Sequence, residues 1–279
     1  MLLFLLLSFL FYADALLYNR YTIADISCGE FACVARKNDG TAEAWGNPAW
    51  GGDPSVELTD IADISCGTHA CVARKNDGTA YAWGFAIFGG DASSVDLTDV
   101  ADISCGGTAC VARKNDNTAV AWGHPAYGGD ASSVELTNVA DISCGTHTCV
   151  ARKTDGSAVA WGDPAYGGDA SNVDLTDVAD ISCGGRACVA RKNDNTAVAW
   201  GDQDWGGDAT SVDLTDVADI SCGGYACVAR KTDDTAYAWG DASLGGNAPS
   251  LTDIADISCG FHACVARKND GTAEAWGDA

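Results

Sequence analysis

The chain is 279 residues long and carries 39 acidic against 16 basic residues, a formal net charge of −23. That sign excludes a nucleic-acid backbone or an anionic membrane surface as a partner, since both would repel it, and leaves basic proteins and cationic ligands. A hydrophobic fraction of 47% with nine tryptophans excludes a disordered chain, and 33 glycines call for many tight turns.

The N-terminus reads MLLFLLLSFLFYADALLYNR. Residues 2–12 form an apolar run as long as the central part of a secretory signal and too short to cross a bilayer. Ala13-Asp14-Ala15 fits a small-x-small cleavage site, so residues 1–15 read as a signal peptide ahead of one domain spanning 16–279. No Lys or Arg precedes Arg20, and the competing reading is a first segment that is not a signal. The first reading puts the protein in a secreted or lumenal compartment, the second in cytoplasm or nucleus.

The string ISCG then begins at Ile26, Ile64, Ile103, Ile142, Ile181, Ile220 and Ile257, at spacings of 37 to 39 residues. Seven copies of one unit therefore fill the chain from about residue 21 onward. In the third unit, strands are predicted over Val100–Cys105, Ala109–Lys114 and residues 118–122, with a short outer strand over 95–97. The turn between the second and third strands reads NDGT, NDNT, TDGS or TDDT. Its third residue is Gly78, Asn117, Gly156, Asn195 or Asp234 in five units, types that tolerate positive φ, so a hairpin belongs there.

No segment has a helical period. Such a unit cannot bury both faces by itself, whereas seven stacked radially can, which predicts an all-β, seven-bladed propeller. A linear β-solenoid fits worse, because each unit holds hairpins. The sequence leaves closure open. The connection from the Gly-Gly turn to an LTD or LTN segment occurs six times and residues 16–25 match LTDVAD poorly, so the ring closes loosely or belongs to a longer array.

Each unit has two cysteines spaced C-x4-C: Cys28/Cys33, Cys66/Cys71, Cys105/Cys110, Cys144/Cys149, Cys183/Cys188, Cys222/Cys227 and Cys259/Cys264. A four-residue loop sets each pair across a hairpin, within disulfide reach. An oxidising compartment would give seven disulfides and a reducing one small core thiols; zinc is disfavoured, because blades splay their turns apart. The same register sets Asp63 opposite Arg74, and likewise Asp25/Arg36, Asp102/Arg113, Asp141/Arg152, Asp180/Arg191, Asp219/Arg230 and Asp256/Arg267. A cross-strand ion pair is predicted in each blade.

In the second unit, Gly67, Asp77-Gly78, Trp83-Gly84 and Phe88-Gly89 form a pattern that resembles the regulator-of-chromosome-condensation repeat, and it recurs in every unit. The resemblance implies a seven-bladed β-propeller. It departs from the family at Ala70, where a His is frequent, and at Cys66 and Cys71, where small residues are frequent. Activities tied to particular surface residues of the family are therefore not carried over.

Nearly every Ser, Asp, Cys and Arg recurs seven times, so no unique catalytic constellation stands out, and neither a cofactor nor a metal site is expected. The tryptophans of the Trp-Gly pairs, Trp45, Trp83, Trp122, Trp161, Trp200, Trp239 and Trp276, are expected between blades. Variation marks the candidate surface. Inside each C-x4-C loop the middle pair changes, which nominates Glu30, Phe31, Thr68, His69, Thr108, His147, Arg186, Tyr225, Phe261 and His262 as partner-binding residues at one end of the ring. A second variable set carries Trp50, Phe88, Tyr127, Tyr166 and Trp205, read as blade-closing core. The expected function is a monomeric, non-enzymatic scaffold that binds a protein partner of basic character, with no nucleic acid and no membrane insertion. The alternative is an intracellular regulator such as a guanine-nucleotide exchange factor for a small GTPase.

Overall fold

The computed structural model describes residues 22–278; the signal-peptide expectation for residues 1–15 lies outside them. Seven three-stranded antiparallel sheets follow one another, each in simple chain order. Their first strands, Ile23–Cys28, Ile61–Cys66, Val100–Cys105, Val139–Cys144, Val178–Cys183, Val217–Cys222 and Ile254–Cys259, define blades 1 to 7. All seven line one central funnel, so the units radiate as blades of a β-propeller.

The hairpin register is the one the spacing implies. Cys66 faces Cys71 and Asp63 faces Arg74, with the same pairing in every blade. All seven cysteine pairs are disulfides: Cys28–Cys33, Cys66–Cys71, Cys105–Cys110, Cys144–Cys149, Cys183–Cys188, Cys222–Cys227 and Cys259–Cys264.

Disulfide and buried core residue, alternatives from the sequence, turn out to describe the same cysteines. In blades 2 to 7 the second cysteine of the pair is closed off from solvent. Cys71, Cys110, Cys149, Cys188, Cys227 and Cys264 are each at most 2% exposed and pack in the cores between blades. The reason is position: each lies on the middle strand of its sheet, with the preceding blade packed over that face. Cys33 of blade 1 is only half-buried.

A β-bulge breaks each first strand between its opening Ile or Val and the Asp two residues on. The extra residue shifts the alternation by one, so Ile61 and Ile64, three apart, both turn into the core. Without the bulge, strand periodicity would put them on opposite faces.

The turn after the second strand is a three-residue loop closed by the residue with positive φ, such as Gly78 at 81° and Asn117 at 64°. Asp77 Oδ1 accepts hydrogen bonds from the Thr79 backbone N–H and hydroxyl, which lowers its pKa.

Two features depart from expectation. The segment around residues 95–97 is an irregular linker rather than a strand, held to the previous blade by Ala80 N–H donating to Leu97 O at 2.9 Å. Linker carboxylates also tie to lysines, as in Lys114–Asp96 at 2.8 Å, which holds Asp96 at about 2. The cross-strand ion pairs are the second departure. Among the described residues, contacts of 3.8–4.0 Å join Asp63–Arg74, Asp141–Arg152 and Asp256–Arg267, not all seven pairs. Each Asp, whether or not it meets its Arg, turns one oxygen to the N–H of the next residue, as Asp102 does to Ile103 at 2.9 Å.

Burial pushes the pKa of Asp102 and Asp180 up, with the Asp of the flanking blades adding to it. An acid whose folded pKa is raised binds its proton more tightly when folded. Its charged form therefore costs stability at neutral pH, and stability returns as pH falls through that raised value. Asp102→Asn is expected to raise the thermal midpoint at pH 7 and to lose that advantage near pH 3. Equal differences from wild type at both pH values would refute the burial account.

Blades join by one recurring junction. The leading face of blade 3, built from Val100, Ile103, the Cys105–Cys110 bridge, Ala112 and Trp122, packs on the trailing face of blade 2, built from Val72, Ala80 and Ala82. Trp122 Nε1–H donates to Gly89 O at 2.9 Å, and Cys105 N–H donates to the Ser65 hydroxyl at 2.9 Å. Six such junctions link blades 1 through 7 in order. Near the axis, an added Cβ on Gly67, Gly106, Gly145, Gly184 or Gly223 would fall 1.7–2.0 Å from the next blade's glycine carbonyl oxygen, so no side chain fits there.

No seventh core cluster forms between blades 7 and 1 among the described residues. Val265 of blade 7 is 42% exposed, while its six counterparts, Val34 through Val228, are 0% exposed. On blade 1, Ile26 is 55% and Trp45 49% exposed. The seam is open.

Candidate functional site: an aromatic crown

The variable pair of each C-x4-C loop forms the tip of its hairpin. Gly67 N–H donates to Ala70 O at 2.8 Å, leaving only Thr68 and His69 beyond the last ladder bond. The chain then returns through the third strand to the same end. In every blade the residue after Trp-Gly donates its N–H to the carbonyl of the second tip residue, as Phe85 does to His69 and Asp202 to Arg186, both at 2.9 Å. In blades 1 to 5 a 3-10 turn follows, capped by a glycine in the left-handed region such as Gly89 at φ 105°. These bonds set the two variable sets side by side.

The result is a belt of rings around one end of the propeller. Phe31 meets Trp50 with centroids 4.0 Å apart, Trp50 meets His69 at 5.2 Å, and His69 meets Phe88 at 4.8 Å. Blade 3 has Thr108 where its neighbours carry a large side chain, and His124 fills the gap, 5.8 Å from Phe88 and 4.5 Å from Tyr127. The belt continues through His147, between Tyr127 at 4.8 Å and Tyr166 at 4.9 Å. The Arg186 guanidinium then bridges Tyr166 at 4.7 Å and Trp205 at 3.4 Å. Trp205, Tyr225, Phe261 and His262 complete it.

All four histidines of the chain belong to this belt. His69 and His147 donate their Nδ1–H to the carbonyls of Gly107 and Gly185, at 2.8 and 3.2 Å. Burial pushes the His147 pKa down, and the neighbouring Arg186 adds to it.

Inside the belt lies the axial funnel, about 390 Å³, lined by backbone of the glycine-rich loops. Glu30, Thr68 and Phe261 face it. Thr108 is buried, and its hydroxyl donates to Thr146 O at 2.8 Å, so it braces two blades. The other nominated tip residues stand half-buried or exposed on the crown. The buried cysteines Cys71, Cys110, Cys149, Cys188, Cys227 and Cys264 present no surface to a partner; they fasten the hairpins that carry the tips.

The second variable set is not blade core. Trp50, Phe88, Tyr127, Tyr166 and Trp205 sit half-exposed at the surface, because the tie to the tip carbonyl lifts them out of the sheet. Sequence reasoning missed them and His124; the usable signal was an aromatic immediately before each Gly-Gly-Asp, together with a His beside the blade that lacks a large tip residue. Among the described residues, no group of three or more His, Cys, Asp or Glu is placed to hold a metal.

No family model and no curated protein matches the sequence. Solved structures do match in three dimensions. The chain is similar to human WBSCR16 at 16% identity, over 90% of this chain and 88% of that one, with a TM-score of 0.62. It is similar to the CRINKLY WD40 ectodomain of the receptor kinase ACR4 from Arabidopsis thaliana at 16% identity, over 92% and 96%, with a TM-score of 0.65. It is likewise similar to Prp20p from Saccharomyces cerevisiae, described with its binding to Gsp1p and histones, at 13% identity over 88% and 82%, with a TM-score of 0.63. Yeast RCC1 is that same Prp20. The chain has the fold of a seven-bladed RCC1-like β-propeller.

Proposed function

We propose that this propeller is a protein-binding module, secreted or lumenal, whose aromatic crown is the recognition surface. The observation that carries the proposal is convergence. The two stretches of the repeat that vary, the hairpin tip and the turn after Trp-Gly, form one continuous belt, while the residues that build the blades recur almost unchanged. Large rings with polar tips on a rigid frame suit a protein surface, since they bury much area at little cost in side-chain freedom. Seven disulfides agree with an oxidising compartment. Glu30, Asp163, Asp202 and Asp204 outnumber Arg186 on the crown, which favours a partner with basic side chains.

The second reading, regulation of a small GTPase, rests on the likeness to Prp20p. A chain that accumulates in cytosol with reduced cysteines would favour it.

The test compares proteins retained from extracellular fluid by the wild type and by a variant carrying Phe31→Ala, His69→Ala, Arg186→Ala, Tyr225→Ala and Phe261→Ala. A specific partner is expected to bind the variant about 100-fold more weakly, equivalent to two hot-spot residues. Val56→Ala with Tyr237→Ala, away from the crown, is expected to change nothing. Equal retention by the crown variant and wild type would remove the crown from the proposal.

A further inference from the structure

Every junction joins two half-interfaces, a leading face and a trailing face, and the open seam displays one of each. Blade 1 presents the leading half, with Ile23, Ile26, the Cys28–Cys33 bridge and the Trp45 indole, both isoleucines and the indole largely exposed. Blade 7 presents the trailing half, with Val265, Ala273 and Ala275 exposed and the Ser258 hydroxyl at the place where Ser65 receives the next blade's N–H. The two halves do not meet. An added Cβ on Gly260 reaches no blade-1 atom within 4 Å, whereas the six glycines before it in the ring would each collide with the next blade.

We propose that the seam is a docking site for one further unit of this repeat, supplied in trans. The occupant follows from continuity with the six junctions already made. A unit has a trailing face for blade 1 and a leading face for blade 7, so it offers the complement of both sides. It also carries the polar complement: a serine hydroxyl for the Cys28 N–H, a Gly-Gly turn carbonyl for the Trp45 indole, and a cysteine N–H for Ser258. A merely apolar segment offers none of these three. Ile23, Ile26, Trp45 and Val265 are exposed aliphatic or aromatic side chains, the type that anchors an interface core. The inference does not depend on the crown being a binding surface, since the seam lies on the blade faces rather than at the hairpin tips.

The experiment uses the full chain and a synthetic oxidised peptide with the sequence of residues 90–128, one unit with its linker. Hydroxyl-radical footprinting read by mass spectrometry reports each tryptophan separately. In the free chain Trp45 is expected to label far faster than Trp83, and adding the peptide is expected to slow Trp45 to the level of Trp83. The Cys28–Cys33 bridge should become resistant to reduction together with it. Val265→Asp and Ile26→Asp, on faces with no neighbour, are expected to leave the chain folded and abolish the protection. Two results would overturn the proposal. Trp45 as protected as Trp83 in the free chain would mean that residues 1–21, direct ring closure or a second copy covers the seam, and sedimentation would separate the last of these. Labelling of Trp45 that the peptide leaves unchanged would show that the seam does not take this occupant.

Discussion

Gly145→Ala is expected to destabilise the protein by about 3 kcal/mol or more, while Gly260→Ala, the same change at the same place in the repeat, is expected to have almost no effect. At Gly145 a Cβ would lie 1.9 Å from Gly184 O, well inside contact distance, and the obstacle is backbone that cannot rotate away. Relief requires blades 4 and 5 to separate at the axis. That would disturb the Thr146 N–H to Gly184 O bond of 3.1 Å and the Cys183 N–H to Ser143 hydroxyl bond of 3.0 Å. At Gly260 the nearest atom is Ala263 O at 3.7 Å, an ordinary contact. Neither glycine has positive φ, so backbone conformation adds nothing to either side. Thermal denaturation of the two variants decides the matter. Similar losses at both positions would mean that the seventh junction exists.

Tryptophan gives a second contrast of comparable size. Trp161 is 2% exposed, packs on the trailing face of blade 3, and donates Nε1–H to Gly128 O at 2.8 Å. Trp161→Ala opens a large cavity and leaves that carbonyl without its donor, a loss of about 3–5 kcal/mol. Trp45 holds the equivalent place on blade 1 but is 49% exposed, and among the described residues no trailing face packs on it. Trp45→Ala is expected to cost less than about 1 kcal/mol. Denaturant titration of the two proteins measures both numbers, and a Trp45 variant as unstable as the Trp161 variant would place a packed neighbour over blade 1.

Much of the fold could be read from residues close together in the chain. The C-x4-C spacing fixes the hairpin register, because a slip by one residue would turn Cys71 to the opposite face. What the spacing could not show is how deeply Cys149, Cys188, Cys227 and Cys264 are covered, since the cover comes from a neighbouring blade about forty residues away. Gly, Asn or Asp at the third turn position announces positive φ by residue type. The bulge was hidden, since nothing in Ile-Ala-Asp-Ile states that an extra residue will carry both isoleucines to one side. The ion pairs were overstated for a related reason: opposite positions on a ladder bring side chains near, but each Asp finds a donor closer at hand in the next N–H.

The crown was half legible. The tips announced themselves by variation, whereas Trp50 and its counterparts looked like core because they recur. What lifts them to the surface is a backbone bond between residues about sixteen apart, formed only once the third strand has returned to the tip. His124 could not be placed without knowing that blade 3 has left a vacancy at Thr108 for it to occupy.

The sameness of the junctions has a consequence for how the protein tolerates change in its length. Among the described residues the packed cores join consecutive blades, so the molecule behaves as a nearest-neighbour chain whose energy adds up unit by unit. Removing one whole interior unit rejoins a trailing face to a leading face of the same chemistry and leaves every remaining contact type intact. Removing half a unit strands a cysteine, a tryptophan and a linker at once. Blade number is thus a variable that gene duplication or loss can alter in whole steps, while point substitution is closed off at the axial glycines that face a following blade.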